Sequence, residues 1–109
     1  MPYQDKDPLR TGIGGKFRWS TTVVSPGVKA LVGDDPIGSM TLNALIRRHQ
    51  NGEWGKAQPE EAAANEQALL DGGPLFSRYQ LQGREIWILT EAEPRETTVV
   101  RLPEEEDKA

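Results

Sequence analysis

No cysteine occurs among the 109 residues. That excludes a disulfide framework, a thiolate nucleophile and a cysteine-based zinc site. There is a single histidine, His49. Without a cysteine partner it gives no basis for a tight zinc site, and no motif gathers carboxylates for a harder cation, so neither a metal nor a cofactor is expected. Basic charge is also in short supply. Thirteen lysines and arginines face seventeen aspartates and glutamates, for a net charge of -4. A broad basic field that would draw in nucleic acid is therefore missing, although a local basic strip is compatible with the total. No run is long and apolar enough to span a membrane, and no secretory signal is recognised at the start, so the expected location is the cytoplasm.

The residues that are present read as one α+β domain. Residues 1–16 carry Pro2, Pro8, Gly12, Gly14 and Gly15 with few apolar anchors, and read as a disordered or loosely held arm. Gly12-Ile13-Gly14-Gly15-Lys16 shares composition with phosphate loops but lacks the preceding strand and the full spacing. The domain runs over 17–103, and 104–109 form an acidic tail read as solvated.

Trp19–Val24 is β-branched and predicts a short strand. Ser25-Pro26 reads as an N-cap and first helical position, followed by Val28, Leu31 and Val32, with Gly33 and Pro36 as the stop. A second helix is expected from Ser39 or Thr41 to Gly52, with Leu42, Leu45, Ile46 and His49 on one stripe. A third is expected from Pro59 to Gly72, with Glu60 and Glu61 in its first turn. After Pro74 the period becomes two. Strands are predicted over Phe76–Leu81, Glu85–Glu91 and Thr97–Leu102, as an antiparallel meander packed on the helices. Gln82-Gly83 supplies a two-residue turn.

That turn sets Leu81 opposite Arg84, Tyr79 opposite Ile86 and Ser77 opposite Ile88, and closing the second loop with Glu91 opposite Thr97 sets Leu89 opposite Val99 and Trp87 opposite Arg101. Leu75, Tyr79, Ile86, Ile88, Val100 and Leu102 fall on the core face, with Ser77, Thr90 and Thr98 near one end. Arg78, Gln80, Glu85, Trp87, Leu89, Glu91, Thr97, Val99 and Arg101 fall on the other.

Two readings of that second face are open. Arg78, Trp87 and Arg101 in a row could stack a base and hold a phosphate, with Glu85 or Glu91 as a base for a ribose hydroxyl. The same row could be cross-strand packing of arginine stems over an indole. His49 also has two readings: a residue of the helix's last turn favoured by the dipole and capping free carbonyls, or a general acid or base at a cleft rim beside Glu53. Gly52 fits the helix stop and Trp54 a hydrophobic plug. Ser77, Thr90, Thr97 and Thr98 could be ladder residues or could line a polar pocket at the sheet end.

From His49 to Pro103, about half of the chain resembles a family of small proteins carried on conjugative plasmids and integrative elements. The matching residues are Arg48-His49, Gly52-Glu53-Trp54-Gly55, Asn65-Glu66, Ala68-Leu69, Ser77, Tyr79, Trp87-Ile88, Thr90-Glu91-Ala92, Arg95, Thr97-Thr98 and Leu102-Pro103-Glu104, with Ser25-Pro26-Gly27 upstream. Glu53 stands where that family more often has aspartate, and Glu93-Pro94 adds bulk before Arg95. The resemblance implies an α+β fold and brings no activity with it. A second, fold-level resemblance is to barnase-like ribonucleases and toxins, in which helices precede an antiparallel meander. It places Arg95 near that fold's late-loop catalytic histidine and Arg78 and Arg84 near its phosphate-binding arginines, and the ribonuclease reading built on it uses Glu85 or Glu91 with Arg78, Arg95, Arg101 and His49. The leading expectation is a non-enzymatic binding or accessory protein of a mobile element that engages a host or competing-element protein. A metal-independent ribonuclease acting on RNA is the alternative, and a homodimer through the Trp87 face is a third.

Overall fold

The computed structural model describes residues 21–105. The arm over 1–16, the glycine-rich piece within it, residues 17–20 of the first expected strand and residues 106–109 of the tail lie outside the described residues. The described chain is α+β: β1 (Thr21–Val24), α1 (Pro26–Val32), α2 (Pro36–Gln50), α3 (Pro59–Asp71), β2 (Leu75–Leu81), β3 (Arg84–Thr90) and β4 (Thr97–Arg101).

Helix starts follow from caps. The Ser25 hydroxyl accepts from Val28 N and Pro26 occupies the first turn of α1. The Asp35 carboxylate accepts from Ile37 N, so Pro36 opens α2 rather than closing α1. The expectation of a start at Ser39 or Thr41 is thereby corrected. Proline fits a first helical position because it lacks only an N–H that would go unpaired there. The third helix begins with Pro59, and Glu61 returns its carboxylate to Gln58 N. Gly72, in the left-handed region at φ 85, ends it.

The sheet has four strands in the order β1-β4-β3-β2. Strands β2, β3 and β4 are antiparallel in the register expected, with Arg78 opposite Trp87 and Trp87 opposite Arg101. The sheet is nevertheless mixed, because β1 runs parallel to β4, Thr21 to Val24 against Thr97 to Val100. A three-stranded antiparallel sheet was thus one strand short. The helical segments between β1 and β4 give the chain the crossover length that a parallel pair requires.

The inner face buries Leu81, Ile86, Ile88, Val100 and Leu102 against Val28 and Val32 of α1 and Leu42, Leu45 and Ile46 of α2. Burial alternates along β2 and β4 and along β3 from Glu85 onward, as period-two side chains demand, while Arg84 at the turn is exposed. Helix α3 lies along the β2 edge. Its Ala68 packs with Trp54 and Leu75, and both amide atoms of buried Asn65 bond the Phe76 backbone, Oδ1 accepting at 2.9 Å and Nδ2 donating at 2.7 Å. The tail is not wholly solvated, which corrects that reading as well. Glu105 accepts from Ser25 Oγ, Leu102 N and Gly27 N, and so sits at the positive end of α1. Those hydrogen bonds, led by that from Ser25, hold its carboxyl below the usual range.

Candidate functional site

Across the inner face runs a buried polar chain. His49 is fully buried, with Nδ1 2.6 Å from Ser77 Oγ and Nε2 2.9 Å from Thr90 Oγ1, and Thr90 Oγ1 is 2.7 Å from Thr98 Oγ1. A neutral imidazole suits two hydroxyl neighbours, since each hydroxyl can donate or accept. Burial pushes the His49 pKa down to about 4. The ring therefore bridges α2, β2 and β3 inside the core. It neither caps the helix carbonyls nor stands at a cleft rim beside Glu53. Glu53 itself is exposed and paired with Arg48 at 3.2 Å, and Ser77, Thr90 and Thr98 are interior rather than pocket-lining as a set.

The turn after α2 is locked onto β2. Trp54 lies edge-on to His49 at 5.9 Å, and its indole N–H donates to Glu66 at 2.9 Å. Arg78 N donates to Trp54 O and Lys56 N donates to Arg78 O, which adds one bridge outside β2 at Gly55. A Cβ on Gly55 would lie 2.1 Å from Arg78 O, and its φ is 67, so the close approach requires glycine. Tyr79 donates its hydroxyl to Glu53 O.

On the outer face Arg78, Trp87 and Arg101 do stand in a row. The Arg78 and Arg101 guanidinium carbons lie 5.2 and 5.0 Å from the Trp87 ring centre. Arg78 is already engaged. Its Nε and Nη2 donate to the two Glu61 oxygens at 2.9 and 2.7 Å, and Nη1 donates to Glu85 at 2.9 Å. The Arg78 hydrogen bond and that from Gln58 N lower the Glu61 pKa to about 2. Glu85 also accepts from the Trp87 indole at 2.7 Å, and its pKa is lowered by that bond and by Arg78. Arg101 donates to Leu102 O and Glu105 O.

Arg95 is buried beneath the β3–β4 loop at φ 57. It donates to Ala68 O at 2.9 Å and Gly73 O at 3.1 Å and pairs with Glu93. It therefore ties that loop to the end of α3. The four groups considered for catalysis are dispersed: His49 is on the inner side, Glu85 is on the outer face, Arg95 is inside the loop anchor, and Glu91 is exposed at the loop's start.

Beside the row is a groove of about 550 Å³ between α3 and the outer face. Its floor is Phe76, Leu89 and Val99, three consecutive positions of one cross-strand row. Its walls are Glu61, Ala64, Asn65 and Pro74, and Thr97 and Glu91 border the far side. Phe76 stands edge-on to Trp87 at 5.2 Å, so the groove and the arginine row are contiguous. Leu89 and Val99 were assigned to this face from the sequence without a site role, and Phe76 was overlooked, although it lies two residues from Arg78 on the same face. Glu61 carried no signal, because its pairing with Arg78 is made only by the α3–β2 contact. No family model, curated protein or solved structure matches this chain.

Proposed function

We propose that this chain is a non-enzymatic binding module that takes an apolar segment of another protein into the groove between α3 and the outer sheet face. One observation carries this reading: the groove offers about 550 Å³ over an apolar floor, within the range of ligand sites. The charges next to it, on Arg78, Glu61 and Glu85, are committed to one another. Glu91 is exposed on the rim and makes no side-chain hydrogen bond among the described residues, so a basic residue beside the apolar anchors complements it. The resemblance to proteins of conjugative and integrative elements supports an accessory role in such an element, with a host or competing-element protein as the partner.

The test is selection of displayed peptides on the full chain, followed by calorimetry of those selected. Apolar peptides carrying a lysine or arginine are expected to bind. Leu89→Arg is expected to abolish binding and Glu91→Lys to weaken it, with circular dichroism unchanged in both. Selected peptides that bind Leu89→Arg as tightly as the unaltered chain would remove the groove from consideration.

A further inference from the structure

The two edges of the sheet are finished differently. The β2 edge is closed by the Gly55 bridge and by Asn65. Among the described residues nothing covers the β1 edge. Thr21 N bonds Glu96 O and Ser25 N bonds Val100 O, both at 2.9 Å, so in the parallel register Thr21, Val23 and Ser25 turn their backbone groups toward β4. Thr22 and Val24 turn theirs away from the sheet, and among the described residues no strand pairs with them. Thr21–Val24 carries neither lysine nor proline, the residues that most often block edge pairing.

The outward groups are symmetric about Val23. If a second copy lies antiparallel, with Thr22 of each opposite Val24 of the other, both outward N–H and both outward C=O groups of each chain are paired. Val23, 49 % exposed, then meets its own copy on the two-fold axis. The inner side of the edge is suited to the same partner. There Thr22 and Val24 face Leu42, Ile46 and Arg47 of α2 across a cavity of about 340 Å³. Met40 is seven residues before Arg47 on the same helical stripe and is 70 % exposed, and Ile37, one turn earlier, is 72 % exposed. Three of the four exposed large apolar side chains among the described residues, Val23, Ile37 and Met40, therefore belong to the two elements that frame this edge.

We propose that the chain forms a homodimer through β1, joining two four-stranded sheets into one of eight, with the α2 helices flanking the seam and covering Met40. The apolar row Phe76–Leu89–Val99–Val23 then continues across the axis into the same row of the second copy. The pairing does not depend on what occupies the groove beside α3.

Sedimentation velocity of the full chain, from low-micromolar to near-millimolar concentration, tests it. The unaltered chain is expected to sediment at twice the chain mass. Thr22→Pro removes an outward N–H and no bond to β4, a change that an edge strand accepts. Val23→Lys places two cations on the axis. Each variant is expected to sediment as a folded monomer, and Trp87→Glu as a dimer. Should Thr22→Pro fail to fold, Val23→Lys decides alone. A monomer at every concentration, a dimer that survives both edge variants, or a dimer broken by Trp87→Glu but not by Val23→Lys would each overturn the proposal.

Discussion

His49 shows how one side chain ties the core to pH. Its ordinary pKa is 6.5 and its folded value is about 4, because burial disfavours the charged ring. Between those values the unfolded chain binds a proton that the folded chain does not. Stability is therefore full above pH 6.5 and falls as pH drops toward 4, by about 3 kcal/mol over the window. His49→Leu should cost about 1–3 kcal/mol at pH 8, because the Ser77 and Thr90 hydroxyls lose their ring partner. It should also remove this part of the pH dependence. Urea unfolding at several pH values is expected to show the gap between the two proteins narrowing as pH falls from 7 to 4. Parallel stability curves would contradict the neutral buried assignment. Glu61 loses its contribution lower, as pH falls from 4.5 through about 2, so its window adjoins that of His49 and lies mostly below it. The sequence put His49 on the apolar stripe of α2, and that position was legible from spacing alone. Its partners Ser77 and Thr90 were legible only as core-face residues of two different strands. Which hydroxyls meet the ring depends on how α2 lies across the sheet, and no local pattern encodes that.

Between elements, the contact most open to a single substitution is that of α3 with β2. Asn65 supplies the hydrogen bonds that a further strand would give to Phe76. Asn65→Leu keeps the volume but takes both partners from the part-buried N–H and C=O of Phe76, which should cost about 1–3 kcal/mol. Amide exchange at Phe76 is the direct measurement. Its protection should fall well below that of the other β2 amides, and unchanged protection would show that the Asn65 bonds are not what holds α3 to the edge. The meander was readable because Gln82-Gly83 sets its register and burial of one face then propagates that register. Helix α2 was misplaced at its start because Pro36 serves equally as a terminator and as a first residue, and only the Asp35 cap distinguishes the two. The parallel pairing of β1 with β4 was not readable. Thr21–Val24 is a short β-branched run with the same local signal in either orientation, and its partner lies beyond three helices. The outer groove escaped for the same reason, since one wall is α3 and the floor is the sheet.

Over the whole molecule, charge bears on the proposed choice of a protein partner over nucleic acid. A net charge of -4 gives no long-range attraction for RNA, so recognition would rest on local cations. The outer row holds two, and the structure employs both. Arg78 faces the Glu61 and Glu85 carboxylates, its pKa raised chiefly by Glu61, and Arg101 is bound to backbone carbonyls. A phosphate would have to displace Glu61, whose pairing with Arg78 is bidentate and backed by a bond from Gln58 N. The chain is accordingly expected to bind single-stranded RNA more weakly than about 10⁻⁴ M at physiological salt, the loose end of non-specific binding. It is also expected to leave RNA intact in EDTA. The double variant Glu61→Gln, Glu85→Gln frees the Arg78 guanidinium beside Trp87 and removes two negative charges, so it should gain measurable, salt-sensitive affinity. Fluorescence anisotropy of a labelled oligonucleotide over a salt series reads both. Micromolar binding by the unaltered chain, or cleavage in EDTA that Glu91→Gln and Arg95→Ala abolish with the fold intact, would reverse the choice and make the arginine row a phosphate site rather than a brace for α3.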